Sequence, residues 1–260
     1  MTIPVIAVPG GVMPAALRYA SLASALGDDV QFNFKDLEVY AGEEPPAEYA
    51  IELEVQAVAR FADSLGFDRF HLLGYSGGGF VSLAFAGAHP ERLLSLALFE
   101  PAFVPGDLSS EEGKFATRLK GALTGLDGSE FMRAFVGLQL RPGVEMPPPA
   151  GPPPPWMRNR PAGIAAMMSA FGRYQFDRER LRECRFPAFL GYGDLTGEHQ
   201  ETSAAILARL LPDVHIRRFR GIHHFVPPEQ IYTADHIRAL RELWARAAVP
   251  SHYRFSGLES

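Results

Sequence analysis

The chain has 260 residues, 47% hydrophobic and 21% charged, with a net charge of −5. That length fits one large domain, or one domain with an insertion, and the composition excludes a chain disordered throughout. Mild acidity without a Lys/Arg block argues against nucleic acid or an anionic membrane as partner, and a single cysteine, Cys184, excludes a disulfide framework or a cysteine-rich metal site.

The N-terminal MTIPVIAVPGG has no basic leader region, and no apolar run approaches the roughly 18 residues of a membrane span. We therefore expect no signal peptide and a cytoplasmic protein. Ile3–Val8 is a short apolar run closed by Pro9-Gly10-Gly11, which predicts a buried strand. A helix follows from Pro14 and stops at Gly27. Val30–Phe34 is a second strand. Ile51, Val55, Val58, Phe61, Ala62 and Leu65 recur at helical spacing over residues 47–65, ahead of Gly66. Phe70–Gly74 is a third strand, a helix follows over about 80–88, and Leu93–Phe99 is a fourth strand.

The alternation breaks after Pro101. Helices are predicted near 110–124, where Ser109 and Glu112 form a capping box, near 129–139 and near 162–173. Between them Met146–Trp156 holds seven prolines in eleven residues, the run 147–155 being stiff and extended rather than a core element. Alternation resumes with strand 186–192, helix 198–211, strand 215–219 and helix 228–247, and the tail from Val249 reads as irregular. Strand–helix alternation implies a parallel sheet covered on both faces. The expected organisation is a sheet domain of residues 1–103 and 181–260 with a helical insertion, 104–180, as its cap.

The strongest chemical signal is Gly74-Tyr75-Ser76-Gly77-Gly78, entered from a strand and left by a helix. A sharp turn of that kind lifts the serine to the C-terminal edge of the sheet and leaves the Gly77 N–H free to meet a carbonyl oxygen. A glycine-rich loop feeding a helix could instead cradle a phosphate, but Gly77-Gly78-Gly79 lacks the spacing of the nucleotide-binding motifs. Serine needs a base and a group that orients the base. Of eight histidines, only His223 and His224 lie just beyond the C-terminal end of a predicted strand. Asp194, in Gly191-Tyr192-Gly193-Asp194, ends the fifth strand at the same edge, and Glu100, closing LLSLALF, is a rival acid. No metal-ligand cluster accompanies the histidines, so no metal and no cofactor is expected.

With its elbow GYSGG, then HPERLLSLALFEP, GYGD and GIHHF, the chain resembles the α/β-hydrolase fold family, in a form bearing a cap, over nearly its whole length. The resemblance implies a nucleophile–acid–histidine order met by Ser76, Asp194 and His224. Gly-x-x-His-Phe favours His224 over His223, and Asp194 is favoured over Glu100, the position some relatives use. It places the second oxyanion donor in Pro9-Gly10-Gly11-Val12, at Gly11 or, in a shifted register, Val12, beside Gly77. Three departures stand out. Pro9 replaces the usual histidine, the family's first two strands are missing, which leaves about six parallel strands, and Lys35-Asp36-Leu37-Glu38 replaces the common Asp-x-x-Gly turn.

The cap residues Phe115, Phe131, Phe135, Trp156, Met157, Met167, Met168, Phe171 and Tyr174 form either the core of a small helical insertion or, in part, a hydrophobic pocket above Ser76. Cys184 reads as a small buried hydrophobe. The expected activity is a serine hydrolase cleaving a small hydrophobic carboxylic ester, lactone or thioester. As alternatives, the resemblance admits a carbon–carbon bond hydrolase, an acyltransferase or a small-molecule receptor that keeps the triad.

Overall fold

Six short runs rich in apolar and aromatic residues pair into one sheet, and the connections between them return as helices. The computed structural model describes residues 2–102, 110–126, 128–146 and 151–248. In chain order the first half holds β1 (Ile3–Val8), α1 (Ala15–Leu26), β2 (Val30–Phe34), a 3-10 turn over Glu38–Tyr40, α2 (Ile51–Ser64), β3 (Phe70–Tyr75), α3 (Gly77–Ala88) and β4 (Leu93–Phe99). Then come α4 (Ser110–Gly121), α5 (Gly128–Leu138), a 3-10 turn over Pro155–Met157, α6 (Arg160–Arg173) and α7 (Arg178–Arg182). The sheet resumes with β5 (Ala188–Gly193), α8 (His199–Leu210) and β6 (Val214–Phe219), and α9 (Pro228–Ile231) and α10 (Ala234–Ala248) follow.

The strand order is β2-β1-β3-β4-β5-β6, and every pairing is parallel. This is the expected six-stranded sheet. Alternate residues of each strand feed opposite layers, as a period of two requires. Ile6, Val8, Leu72, Leu96, Leu98 and Leu190 pack with residues of α2, α3 and α8. Val5, Ala7, Leu73, Ala97, Phe99 and Phe189 pack with residues of α1 and α10. Because the strands run one way, their C-terminal ends share one edge, and Gly74 sits level with Val8 on one side and Leu98 on the other.

Three local differences from expectation have physical causes. Helix α3 begins at Gly77 rather than near Phe80, because the elbow turns directly into it. The helix expected over 228–247 is two, α9 and α10, parted at Tyr232–Thr233. A new helix starts from Thr233: its carbonyl accepts from the His236 and Ile237 N–H groups, and its hydroxyl pairs with His236 Nδ1 at 2.9 Å. Short α7, absent from the sequence reading, is capped by Asp177, whose side chain accepts from Arg180 N.

Among the described residues, the stretch between β4 and β5 holds helices and one isolated antiparallel bridge, Leu140 to Thr196. Phe131, Ile164 and Met167 are buried in it. Cys184 is buried, as expected, and burial pushes its thiol up to about 11. No described helix is long and apolar enough to cross a membrane. The Ser109–Glu112 capping box, the Phe115 side chain, residues 147–150 of the proline run and the tail from Val249 lie outside what is described.

Candidate active site

The elbow after β3 sets Ser76 in a conformation that L-residues avoid, φ 53 and ψ −120. Such strain costs on the order of 1–3 kcal/mol and persists only where the surroundings dictate it. Here the Ser76 N–H donates to Phe99 O at 3.1 Å, and its carbonyl accepts from Gly79, Phe80 and Ala102 N–H groups at 2.8–3.2 Å. The glycines permit the approach. A Cβ on Gly78 would collide with the Val8 and Pro9 carbonyls, and one on Gly10 would lie 2.8 Å from Ser76 Cβ.

The Ser76 hydroxyl is 3.0 Å from His224 Nε2, and the opposite ring nitrogen, Nδ1, donates to Glu100 Oε2 at 2.8 Å. Glu100 Oε1 accepts from the Gly193 N–H at 2.8 Å and from the Thr196 hydroxyl. His224 and Glu100 are only 3% and 2% exposed, so their attraction is little screened by water. Burial works to raise the Glu100 pKa, but bonds from His224, Thr196 and Gly193 outweigh it and hold the carboxyl below the usual carboxylate value. Glu100 is thus an anion at neutral pH. Its hydrogen bond leaves Nε2 as the unprotonated nitrogen facing Ser76.

The expectation that Asp194 would orient His224 is corrected. Asp194 Oδ1 accepts from the Gly221 N–H at 2.7 Å, closing the turn after β6, while Glu100 occupies the place at Nδ1. Asp194 is the turn residue that its position after glycine also allowed. His223, the alternative base, is half-buried, and its Nδ1 accepts from the Phe225 N–H at 3.1 Å.

Gly77 is the first residue of α3, where the N–H has no acceptor within the helix and the helix dipole favours negative charge. A Cβ on Gly77 would stand 3.7 Å from Gly11 N, so the two glycines expected to carry the oxyanion donors lie close together. The same position would be 3.3 Å from Met167 Sδ and 3.6 Å from Phe171 Cζ, and a Cβ on Gly11 would meet Met167 Cε and Ile164. Apolar side chains of α6 therefore lie over the glycines beside Ser76.

Three contributors were not singled out from the sequence. Thr196 holds Glu100, and the Tyr75 hydroxyl donates to the His224 carbonyl while its ring stacks 5.0 Å from the imidazole. Arg18 is buried with its guanidinium 3.5 Å from the centre of the Tyr75 ring. A signal for Arg18 existed: it interrupts the apolar stripe Ala15, Tyr19, Leu22 and Leu26 of α1. Tyr75 and Thr196 carry no such mark. Among the described residues no cluster of His, Cys, Asp and Glu could hold a metal ion.

A sequence profile of the alpha/beta hydrolase fold matches residues 41–165. The chain is 38% identical to the monoacylglycerol lipase abhd6-A of Xenopus laevis over 76 residues, which are 28% of this chain and 22% of that one. It is 30% identical to a fluoroacetate dehalogenase of a Burkholderia species over 129 residues, 43% of this chain and 41% of that one. The chain thus matches less than half the length of these relatives. The solved structure of a thermophilic esterase from Thermogutta terrifontis superposes with a TM-score of 0.67 at 20% identity, covering 96% of this chain and 92% of that one. With its parallel sheet, serine elbow and matching profile, the chain has the α/β-hydrolase fold.

Proposed function

We propose that the protein is a serine hydrolase that cleaves a small hydrophobic carboxylic ester, lactone or thioester through an acyl-enzyme on Ser76, with His224 as base and Glu100 as its acid. One observation carries the reading: His224 touches Ser76 Oγ with one nitrogen and a buried carboxylate with the other. A weak nucleophile is activated by that arrangement. In the first half-reaction His224 Nε2 takes the Ser76 proton as Oγ adds to the carbonyl carbon. Glu100 stabilises the imidazolium, and the Gly11 and Gly77 N–H groups receive the oxyanion. The proton then passes from His224 to the departing alcohol or thiol. In the second half-reaction His224 deprotonates water, which attacks the acyl carbon, and Ser76 is regenerated.

The apolar lining supports the substrate reading. Ile164, Met167 and Phe171 put apolar surface against the glycines on either side of Ser76, which suits an apolar acyl group. In this reading residues 1–103 and 181–260 form the catalytic core and 104–180 the cap that selects the substrate. The test is hydrolysis of p-nitrophenyl esters of increasing acyl length by the wild type and by Ser76→Ala. The wild type is expected to turn over short esters and the variant to lose roughly 10³-fold or more in kcat. Equal rates in the two proteins would overturn the reading.

A further inference from the structure

The segment Lys35–Tyr40, whose first four residues depart from the family's usual turn, lies against the loop expected to supply the second oxyanion donor. Two side chains of the segment hold that loop from opposite ends. Asp36 Oδ1 accepts from Ala15 N, at the start of α1, at 2.7 Å, and the Tyr40 hydroxyl donates to the Gly11 carbonyl at 2.7 Å. Consecutive glycines at 10 and 11 give the loop unusual backbone freedom, so its peptide orientation has to be fixed by contacts. A carbonyl held on one side of a planar trans peptide commits that peptide's N–H to the other side; the Gly11 carbonyl shares its peptide with the Val12 N–H, the donor in the shifted register, and holding it also restrains the Gly11 backbone that joins this peptide to the Gly11 N–H.

Tyr40 is itself braced from below. Glu54, buried on α2, accepts from Glu38 N at 2.9 Å, Val39 N at 3.1 Å and the Tyr49 hydroxyl at 2.9 Å. A buried carboxylate thereby fixes the 3-10 turn that carries the tyrosine. From above, Tyr40 meets α6. Gly163 lies so close to its ring that a Cβ there would overlap it, and the Arg160 guanidinium sits 3.7 Å from the ring centre. Arg160 Nε in turn donates to Trp156 O at 3.1 Å.

We propose that Tyr40 is a positioning residue for the oxyanion site: its hydroxyl fixes the Gly11–Val12 peptide, and with it the backbone that presents the Gly11 and Val12 N–H groups beside Gly77, and its ring ties that geometry to the docking of α6. The inference rests on the ester-hydrolase reading above and assigns a role to a residue outside the triad. It gives the segment after β2 a purpose, since Asp36 and Tyr40 hold the loop at Ala15 and Gly11.

Tyr40→Phe removes the hydroxyl and keeps the ring against Gly163 and Arg160. With a short p-nitrophenyl ester, kcat is expected to fall about tenfold or more while KM stays within about twofold, because a misplaced donor weakens binding of the transition state and not of the ground state. The inhibition constant of a trifluoromethyl ketone, which becomes an oxyanion on Ser76, should rise by the factor lost in kcat/KM. That of a matching secondary alcohol, which forms no oxyanion, should not. Gly163→Ala, pressing on the ring from α6, should lower kcat in the same selective way, with thermal melts confirming that both variants fold. Unchanged kcat in folded Tyr40→Phe, or equal weakening of both inhibitors, would overturn the proposal while the hydrolase reading stood. If the wild type neither cleaves esters nor reacts with a fluorophosphonate at Ser76, the hydrolase reading falls and this inference with it.

Discussion

The turns after β4 and β5 both carry a carboxylate to the same edge of the sheet, and they spend it differently. Glu100 follows β4 with a positive φ of 45, and its N–H donates to Gly191 O at 2.8 Å, which turns the chain toward β5 and beneath His224. Asp194 follows β5 with its N–H on Phe219 O at 2.9 Å and its side chain on Gly221 N, so it faces β6. One carboxylate is sealed among three donors, and the other is partly open to solvent. Direction and burial, rather than chemical type or distance along the strand, separate a group that polarises a histidine from one that closes a turn. The two are nonetheless linked, because the turn that Asp194 closes leads three residues later to His224.

The largest expected effect is on Glu100. Glu100→Gln keeps the shape but supplies no anion for the imidazolium and no fixed acceptor for Nδ1. A loss of about 10³–10⁴-fold in kcat is expected, with little change in KM, measured on a short p-nitrophenyl ester. A loss below tenfold would mean that the two turns do not differ in the way their geometry implies. Thr196→Val sharpens the same point. It removes one of two donors from Glu100 Oε1 and leaves the Gly193 N–H. A hydrogen bond to a charged group contributes about 1.5–3 kcal/mol, and with part of that expressed at the transition state kcat should drop roughly three- to tenfold.

Acid should act through stability. His71, His199 and His236 are buried, and burial pushes each down to about 4, with His224 beside His199 acting in the same direction. Folded, they stay neutral between about pH 6.5 and 4, while unfolded they would be protonated over that range. The unfolded chain then binds more protons, so stability falls as pH drops through this window. Glu100 acts in the same direction, since its folded pKa also lies below its unfolded one. Its contribution is present above about pH 4.5 and is lost as pH falls through the folded value. Urea midpoints at pH 7, 5.5 and 4.5 should decline steadily, and His199→Asn should flatten the decline. An equal slope in that variant would show that His199 takes no part.

These contrasts explain how far the sequence could be read. The six strands and their order of chemistry were legible because apolar runs bounded by Gly and Pro mark buried parallel strands, and because the serine elbow is a local turn whose context sits in adjacent residues. His224 was legible by its place after the last strand. The acid was not, since GYGD and LALFE both end strands, and the choice depends on which way a side chain leaves the sheet. Spacing along one chain does not encode that direction. Even so, Glu100 closes a run of otherwise buried residues, whereas Asp194 follows a glycine, the composition of an ordinary turn. Tyr40 was invisible for the same reason: its partner, Gly11, is 29 positions away and meets it only across the β1–β2 edge.

The smallest expected effect completes the comparison. Asp194→Ala removes a hydrogen bond to Gly221 N, at a residue whose φ of 73 already suits glycine and whose turn therefore loses only one of its restraints. Leu195 N still donates to Ile222 O at 2.9 Å, and the Asp194 N–H still reaches Phe219 O, so both sides of the turn remain joined. A partly exposed bond of this kind contributes about 1 kcal/mol, which should appear as a lowered thermal midpoint. Any effect on catalysis has to pass through Ile222 and His223 to His224, which is independently held by Tyr75 and Glu100. We therefore expect kcat on a short ester to stay within about threefold of wild type. If Asp194→Ala instead lost activity as deeply as Glu100→Gln while remaining folded, the two carboxylates would have to exchange places at His224 during turnover, and the division of labour between the two turns would collapse.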